Sequence, residues 1–543
     1  MLLAFVTLTP FVAACRKKPE PAAVVRPSPP PRPREVVAEL TVPDPHALWP
    51  RLRSLAGPFA EVLPQAPELA VAAIAGVPAL SAGSFELHSP LVLATVSGDA
   101  AGVVVGVHLQ NGPELLANVT TGARPSHRAE RKGALAQVFN AGAQGSFAFG
   151  LVDDTLLLGP EPAVQRVGEY VARALRPQAS TRGPITLITS GESLKAWVTP
   201  TLRRAWLERR AELGAALDRE RATHARPADF GEPEVLLAWL DEFVQAGVAL
   251  LESVREMRGV LDVDAQRLDL ELRLMPEPNG AAQAFVSNMA LGNGEAIKSL
   301  PANSAFALLL RRRLEPQPKP GLERLRALFA GRLASAESAQ LEQGLTNLAL
   351  GRGEVDAFAL LPDLGVVWRG PVNDANQLHD GVSTLLSLLT HKPFSELLAA
   401  SAGRPQLLRK PSQRRAEARI DRAELVLRPA APSAKAKRLE LASSISEGEF
   451  VITAAPSGAG TLDRALAGAE ANLGADPALA PFIAAASDVS WLALCDLARL
   501  GMALPESRAP LSLAARSREG GLSLSLRVSD AALRALVARG LGR

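Results

Sequence analysis

The sequence predicts an α+β fold, internally duplicated, with antiparallel sheets built from repeated strand–turn–strand–helix units and helices covering them. Residues 259–288 show that unit most plainly. Val260 and Leu261 begin an apolar run, and Ala265, Gln266 and Arg267 turn the chain. Leu268, Leu270, Leu272 and Leu274 then alternate with Asp269, Glu271 and Arg273, the period-two pattern of a strand with one buried face. Pro276 and Pro278 end the strand, and Asn279 is placed to cap the next helix. Two further observations complete the prediction. The unit recurs six times in two runs of three, and each run carries a lone strand before its first unit and another before its third.

The folded body is expected to open at Glu35 with a lone strand, VVAELTV, followed by a helix from Asp44 or His46. In the first unit, strands at 91–96 and 103–109 flank a turn, and Asn111-Gly112-Pro113 opens a helix with proline at a favoured position. In the second, Phe147, Phe149 and Leu151 alternate, Asp153-Asp154 turns the chain, and Val164, Val167 and Val171 stripe a helix. A lone strand at 184–187 precedes the third unit. The second run places its lone strands at 304–310 and 488–492 and its hairpins at 356–368, 439–454 and 511–528. Irregular spacing fits a duplicated domain, 35–298 and 299–543, rather than a solenoid. The halves differ in their helical additions. The first has an insertion at 197–257, with one stripe through Leu202, Trp206, Leu213 and Leu217 and another from Leu236 through Phe243 to Val254 and Met257. The second has helical sequence at 322–350, striped by Leu325, Leu328, Leu341 and Leu345.

Charge is distributed unevenly. The chain of 543 residues has a formal charge of +3, yet residues 16–34 alone carry five net positive charges, so the remainder is slightly negative. A nearly neutral body argues against nucleic acid, which demands a basic face on a folded domain. RKKPEPAAVVRPSPPPRPR has little to bury and reads as a polyproline tether reaching about 60 Å.

Ahead of it, MLLAFVTLTPFVAA is uncharged, too short to span a bilayer, and of the length of a secretory signal. Val12-Ala13-Ala14-Cys15 resembles the lipobox of bacterial lipoproteins. That resemblance implies a signal peptide at 1–15 and a lipidated Cys15 as the mature N-terminus. Arg16 in the next position resembles lipoproteins sent on to the outer membrane. The expected location is the cell envelope, lipid-anchored and facing the periplasm.

Signatures of chemistry are missing one by one. Residues 292–299 approach a phosphate loop but place Ile297 where its second glycine is needed, so they read as a linker. Asp262 and Asp264 start like a calcium loop, but Arg267 and Arg273 stand where glycine and glutamate are required. Asp153 and Asp154 read as turn residues. The seven histidines show no zinc spacing, and Cys495 lies in apolar WLALCDL. Arg311–Arg313 and the basic run from 409 to 422 read as solvated faces. No catalytic residue, cofactor or metal site is assigned. The expected function is non-catalytic binding or scaffolding at a membrane, through an envelope protein partner. One alternative is a carrier of lipid or another hydrophobic ligand, which requires an apolar cavity. The other is a hydrolase with dispersed catalytic residues.

Overall fold

The computed structural model describes residues 29–541, except 56–59, 122–124, 142–146, 224–232, 265, 314–332, 393, 397–403, 429–434, 468–471, 484–487 and 503–507. Cys15, most of the tether, Leu325 and Leu328 lie outside the described residues. Where the described chain begins, Arg32 pairs with Glu39, which also accepts a hydrogen bond from the Tyr170 hydroxyl at 2.8 Å.

All 21 strands among the described residues join one antiparallel sheet. The first half supplies β1 (Val36–Val42), β2 (Leu91–Val96), β3 (Gly102–His108), β4 (His127–Lys132), β5 (Leu135–Asn140), β6 (Phe147–Val152), β7 (Thr155–Leu158), β8 (Ile185–Ser190), β9 (Val254–Val263) and β10 (Arg267–Pro276). They lie side by side in the order β4-β5-β6-β7-β3-β2-β1-β8-β9-β10. The second half supplies β11 (Phe306–Arg311), β12 (Val355–Leu360), β13 (Val366–Pro371), β14 (Arg404–Arg409), β15 (Gln413–Arg415), β16 (Ala418–Arg428), β17 (Lys437–Ile445), β18 (Glu449–Pro456), β19 (Val489–Asp496), β20 (Pro510–Arg518) and β21 (Gly521–Ser529). Their order is β16-β17-β18-β13-β12-β11-β19-β20-β21, with β14 and β15 sharing the outer edge of β16. The two halves therefore run in the same order.

They meet where β10 pairs with β21. Leu268 lies opposite Val528, Leu270 opposite Leu526, Leu272 opposite Leu524 and Leu274 opposite Leu522. The two strands read LDLELRL and LSLSLRV, so matching apolar faces align when the edges pair antiparallel. The sequence pattern suggested separate sheets. One sheet forms because each half ends in an edge strand with the same alternation, and pairing satisfies both rows of backbone groups.

All six expected hairpins are present, each followed by a helix: α1 (Pro45–Leu55) and α2 (Pro67–Ala75) precede the first, α3 (Gly112–Thr120) follows it, and α4 (Glu161–Tyr170) follows the second. The insertion is an antiparallel pair, α5 (Thr199–Thr223) and α6 (Pro233–Glu252), and α7 (Ala281–Asn288) follows the third hairpin. In the second half come α8 (Ser335–Gly351), α9 (Ala375–Leu388), α10 (Thr461–Ala465) and α11 (Asp530–Leu541). Among the described residues no helix is long and apolar enough to cross a membrane.

Three boundaries differ from expectation. The stripe assigned through Val254 and Met257 breaks at Glu252, and both residues belong to β9, where Met257 pairs with Leu274. Burial of Val254 under α7 outweighs the helical period. Asn279 does not cap α7: it adopts the left-handed φ of 62°, and Ser253 Oγ accepts from Ala282 N at 2.7 Å. Strands β4, β5, β14, β15 and β16 were not expected: β4 and β14 are mostly exposed, HRAERK with four charged residues and RPQLLR with two, whereas β5, LAQVFN, is buried along its length and carries no alternation to reveal it. Charge on an outermost strand discourages pairing with other chains.

Candidate functional site

The site is built between α9 and the sheet of the second half. Asp374 caps α9 by accepting from Gln377 N at 2.9 Å. One stripe of the helix is committed to packing: Leu378 and Leu388 are buried, and Gly381 lets α9 approach α8 so closely that a Cβ there would stand 2.6 Å from Leu348 N. The adjacent stripe, His379, Val382, Ser383 and Leu386, follows helical spacing and faces a cavity of about 310 Å³. The floor comes from alternate positions of neighbouring strands, including Phe358, Trp368, Ile452, Ala454, Leu441 and Ala423.

Trp368 forms a fixed wall. Its indole Nε1 donates to Asp356 Oδ1 at 2.9 Å, Phe358 stacks on it at 5.5 Å between centroids, and Phe450 meets it edge-on at 5.2 Å. Arg352 lies over the ring and pairs with Asp356 at 2.8 Å. With three ring partners and its N–H engaged, this side chain is preorganised rather than recruited.

The polar end is also organised. Asp421 Oδ2 lies 3.2 Å from His379 Nδ1 and 3.2 Å from Arg419 Nε, and its Oδ1 accepts from Ser412 Oγ. His379, Ser412 and Arg419 separate the apolar cavity from a second, polar one of about 360 Å³ that also includes Arg414, Glu417 and Glu447. Ser412, His379 and Asp421 meet here without a hydrogen bond from the serine to the imidazole. The serine hydroxyl donates to the carboxylate, whereas an activated nucleophile would bond the imidazole. At the other rim Arg409 reaches across from β14 to α9, donating to Ser383 Oγ and Ser383 O, both at 3.1 Å.

The first half has the same strand order, and among the described residues its corresponding layer is closely filled. Beneath α2 and α3, the side chains of Val107, Leu109, Leu115, Val119, Val138, Phe149 and Leu156 are each at most 2% exposed. In the second half, Phe358, Trp368, Leu441 and Ile452 remain half-buried around open space. A dry void of this size would cost on the order of 7 kcal/mol, comparable to the whole stability of a domain. The cavity therefore has to be filled by solvent or by a ligand.

The carboxylates, the glycine-containing loop and the cysteine singled out from the sequence lie elsewhere. Asp264 accepts from Gln266 N and Arg267 N in the β9–β10 turn. Asp262 lines a polar groove of about 250 Å³ at the junction of the halves, where Asp269 and Glu271 face Arg516, Arg518 and Arg527. Asp154 accepts from Gly112 N at 2.9 Å, and Asp153 pairs with Arg173. Gly292 exchanges backbone hydrogen bonds with Val489. Cys495 lies half-buried on β19, its thiol pushed up by burial and by neighbouring Asp496.

Two readings are corrected. Arg311–Arg313 are not simply a solvated face, because they clamp carbonyls: Arg311 on Asn293, Arg313 on Ser287 at 2.6 Å, and Arg312 on Ala349 at 2.7 Å, Gly353 at 3.0 Å and Arg352. The run from 409 to 422 forms strand edges whose Arg409, Lys410 and Arg419 rim the cavity. The fold also brings together His46 and His88, with ring centroids 4.3 Å apart, which chain spacing did not reveal. Among the described residues no group of three or more His, Cys, Asp or Glu could hold a metal ion. In sequence the site was signalled by the His379-x-x-Val382-Ser383-x-x-Leu386 spacing and by the basic run from 409 to 422. The chain matches no protein-family model, no curated protein and no solved structure.

Proposed function

We propose that this chain is a lipid-anchored cell-envelope protein, tethered through Cys15 at the outer membrane, whose second half binds a small hydrophobic molecule without chemical conversion. The observation that carries this reading is the aromatic-walled cavity under α9, set against the filled layer at the corresponding place in the first half. Its volume falls at the lower end of small-molecule sites, and mostly apolar walls with a few convergent polar groups suit binding rather than turnover. The common strand order and the LDLELRL/LSLSLRV match support descent of both halves from one duplicated domain. In that reading the first copy kept a packed core and serves as scaffold, and the second opened its layer into a site.

Native mass spectrometry of the full-length Cys15→Ala chain, purified without detergent from the soluble fraction, tests the function. The expected spectrum carries an additional mass that denaturation releases as a hydrophobic compound. A clean apo mass, unchanged by incubation with envelope lipids, would refute ligand carriage and leave protein scaffolding in its place.

A further inference from the structure

The chemistry of the rim says which end of a ligand comes last into the cavity. Four cationic side chains line its edge, but they are not equivalent. Arg422 is matched by Glu440 at 3.0 Å and Asp463 at 3.2 Å, and Arg419 is matched by Asp421. Arg409 has only the neutral oxygens of Ser383, and no ion pair or hydrogen bond engages the Lys410 ammonium among the described residues. Two adjacent positive charges thus stand over an apolar chamber without a carboxylate. Among the described residues the one acidic group lining that chamber, Asp421, is already held by His379, Arg419 and Ser412, one turn of α9 away from Ser383.

We propose, resting on the hydrophobic-ligand reading above, that the ligand is a single-chain amphiphile with a terminal anionic group. Its chain lies against Trp368 and Ile452, and its head replaces Ser383 as partner of Arg409 with help from Lys410. Three features determine this assignment. A chamber of about 310 Å³ has room for one chain rather than two. The guanidinium presents a planar fork that matches a carboxylate or phosphate in two hydrogen bonds, and it now spends both on a weaker neutral acceptor. The Arg409–Ser383 bridge joins the edge strand to α9 across the opening, so the same movement that admits the head frees the mouth. A carboxylate and a phosphate ester share this chemistry and are distinguished by testing both.

The experiment measures displacement of the neutral probe N-phenyl-1-naphthylamine from the full-length Cys15→Ala chain by four compounds with the same fourteen-carbon chain. These are tetradecanoate, tetradecyl phosphate, tetradecanol and tetradecyltrimethylammonium. At least one anion is expected to bind about tenfold more tightly than the alcohol, with the cation weakest, and the better anion identifies the head group. In Arg409→Met/Lys410→Met the preference for anion over alcohol is expected to vanish, while continued binding of the naphthylamine probe shows that the chamber remains folded. Equal affinity for anion and alcohol, or a preference that survives the double substitution, would overturn the anionic assignment and leave the hydrophobic cavity standing. Failure of the probe and of all four compounds to bind would overturn the hydrophobic-ligand reading itself.

Discussion

Ala454→Leu separates a binding chamber from an ordinary core. Ala454 lines the cavity floor on β18, opposite Val366. The substitution adds three carbons pointing into open space, and each buried methylene contributes about 0.8 kcal/mol. Allowing for incomplete burial and lost side-chain freedom, the unliganded protein should gain about 1–2 kcal/mol. The same three carbons deprive a bound chain of about three methylenes, which weakens binding by about 2.4 kcal/mol, or roughly fiftyfold. The matched control is Ala136→Leu on β5, within the filled layer of the first half, where Ala136 is 5% exposed. Overpacking there should destabilise by about 1–3 kcal/mol. Urea unfolding followed by tryptophan fluorescence reads stability, and displacement of the naphthylamine probe reads binding. The reasoning fails if Ala454→Leu destabilises as much as Ala136→Leu, because the chamber would then be closed in solution. It fails equally if Ala454→Leu stabilises but leaves binding unchanged, because the ligand would sit elsewhere.

Three other outcomes follow from the structure. Arg312→Met removes the clamp on the carbonyls of Ala349, Arg352 and Gly353 at the end of α8; it should cost about 2–4 kcal/mol and raise hydrogen exchange first at residues 335–351, whereas exchange unchanged there would refute the clamp. Burial holds the pKa of His127 below its ordinary value, so the imidazole stays neutral in the fold while the unfolded chain takes up a proton. Stability from this group is full above the unfolded pKa of about 6.5 and is lost as pH falls through the lower folded value; His127→Asn should flatten that decline in urea titrations between about pH 7 and 5. Finally, Cys15→Ala should move the protein from the membrane fraction to the soluble one, with acyl mass on Cys15 of the wild type. An unmodified, uncleaved N-terminus would refute the anchor.

The sequence by itself determined the local units, and for a physical reason. Alternating leucines at 268–274, turn residues such as Asp153 and Asp154, and the caps Asn111, Asp374 and Ser529 act over a few residues, so their effect is legible along the chain. All six hairpins and their helices follow from such signals. Long-range energetics decided the rest. The single sheet depends on β10 finding β21, some 250 residues away, and no local pattern states which edge pairs with which. Val254 and Met257 continue a helical period but join a strand because burial against α7 is worth more than the last turn of helix. The arginines at 311–313 look solvated until the fold sets carbonyls around them. The cavity is least legible of all, since it consists of volume that side chains leave unfilled. His379, Arg409, Asp421 and Trp368 come from four separate elements, and only their packing shows that a layer filled in one half is open in the other.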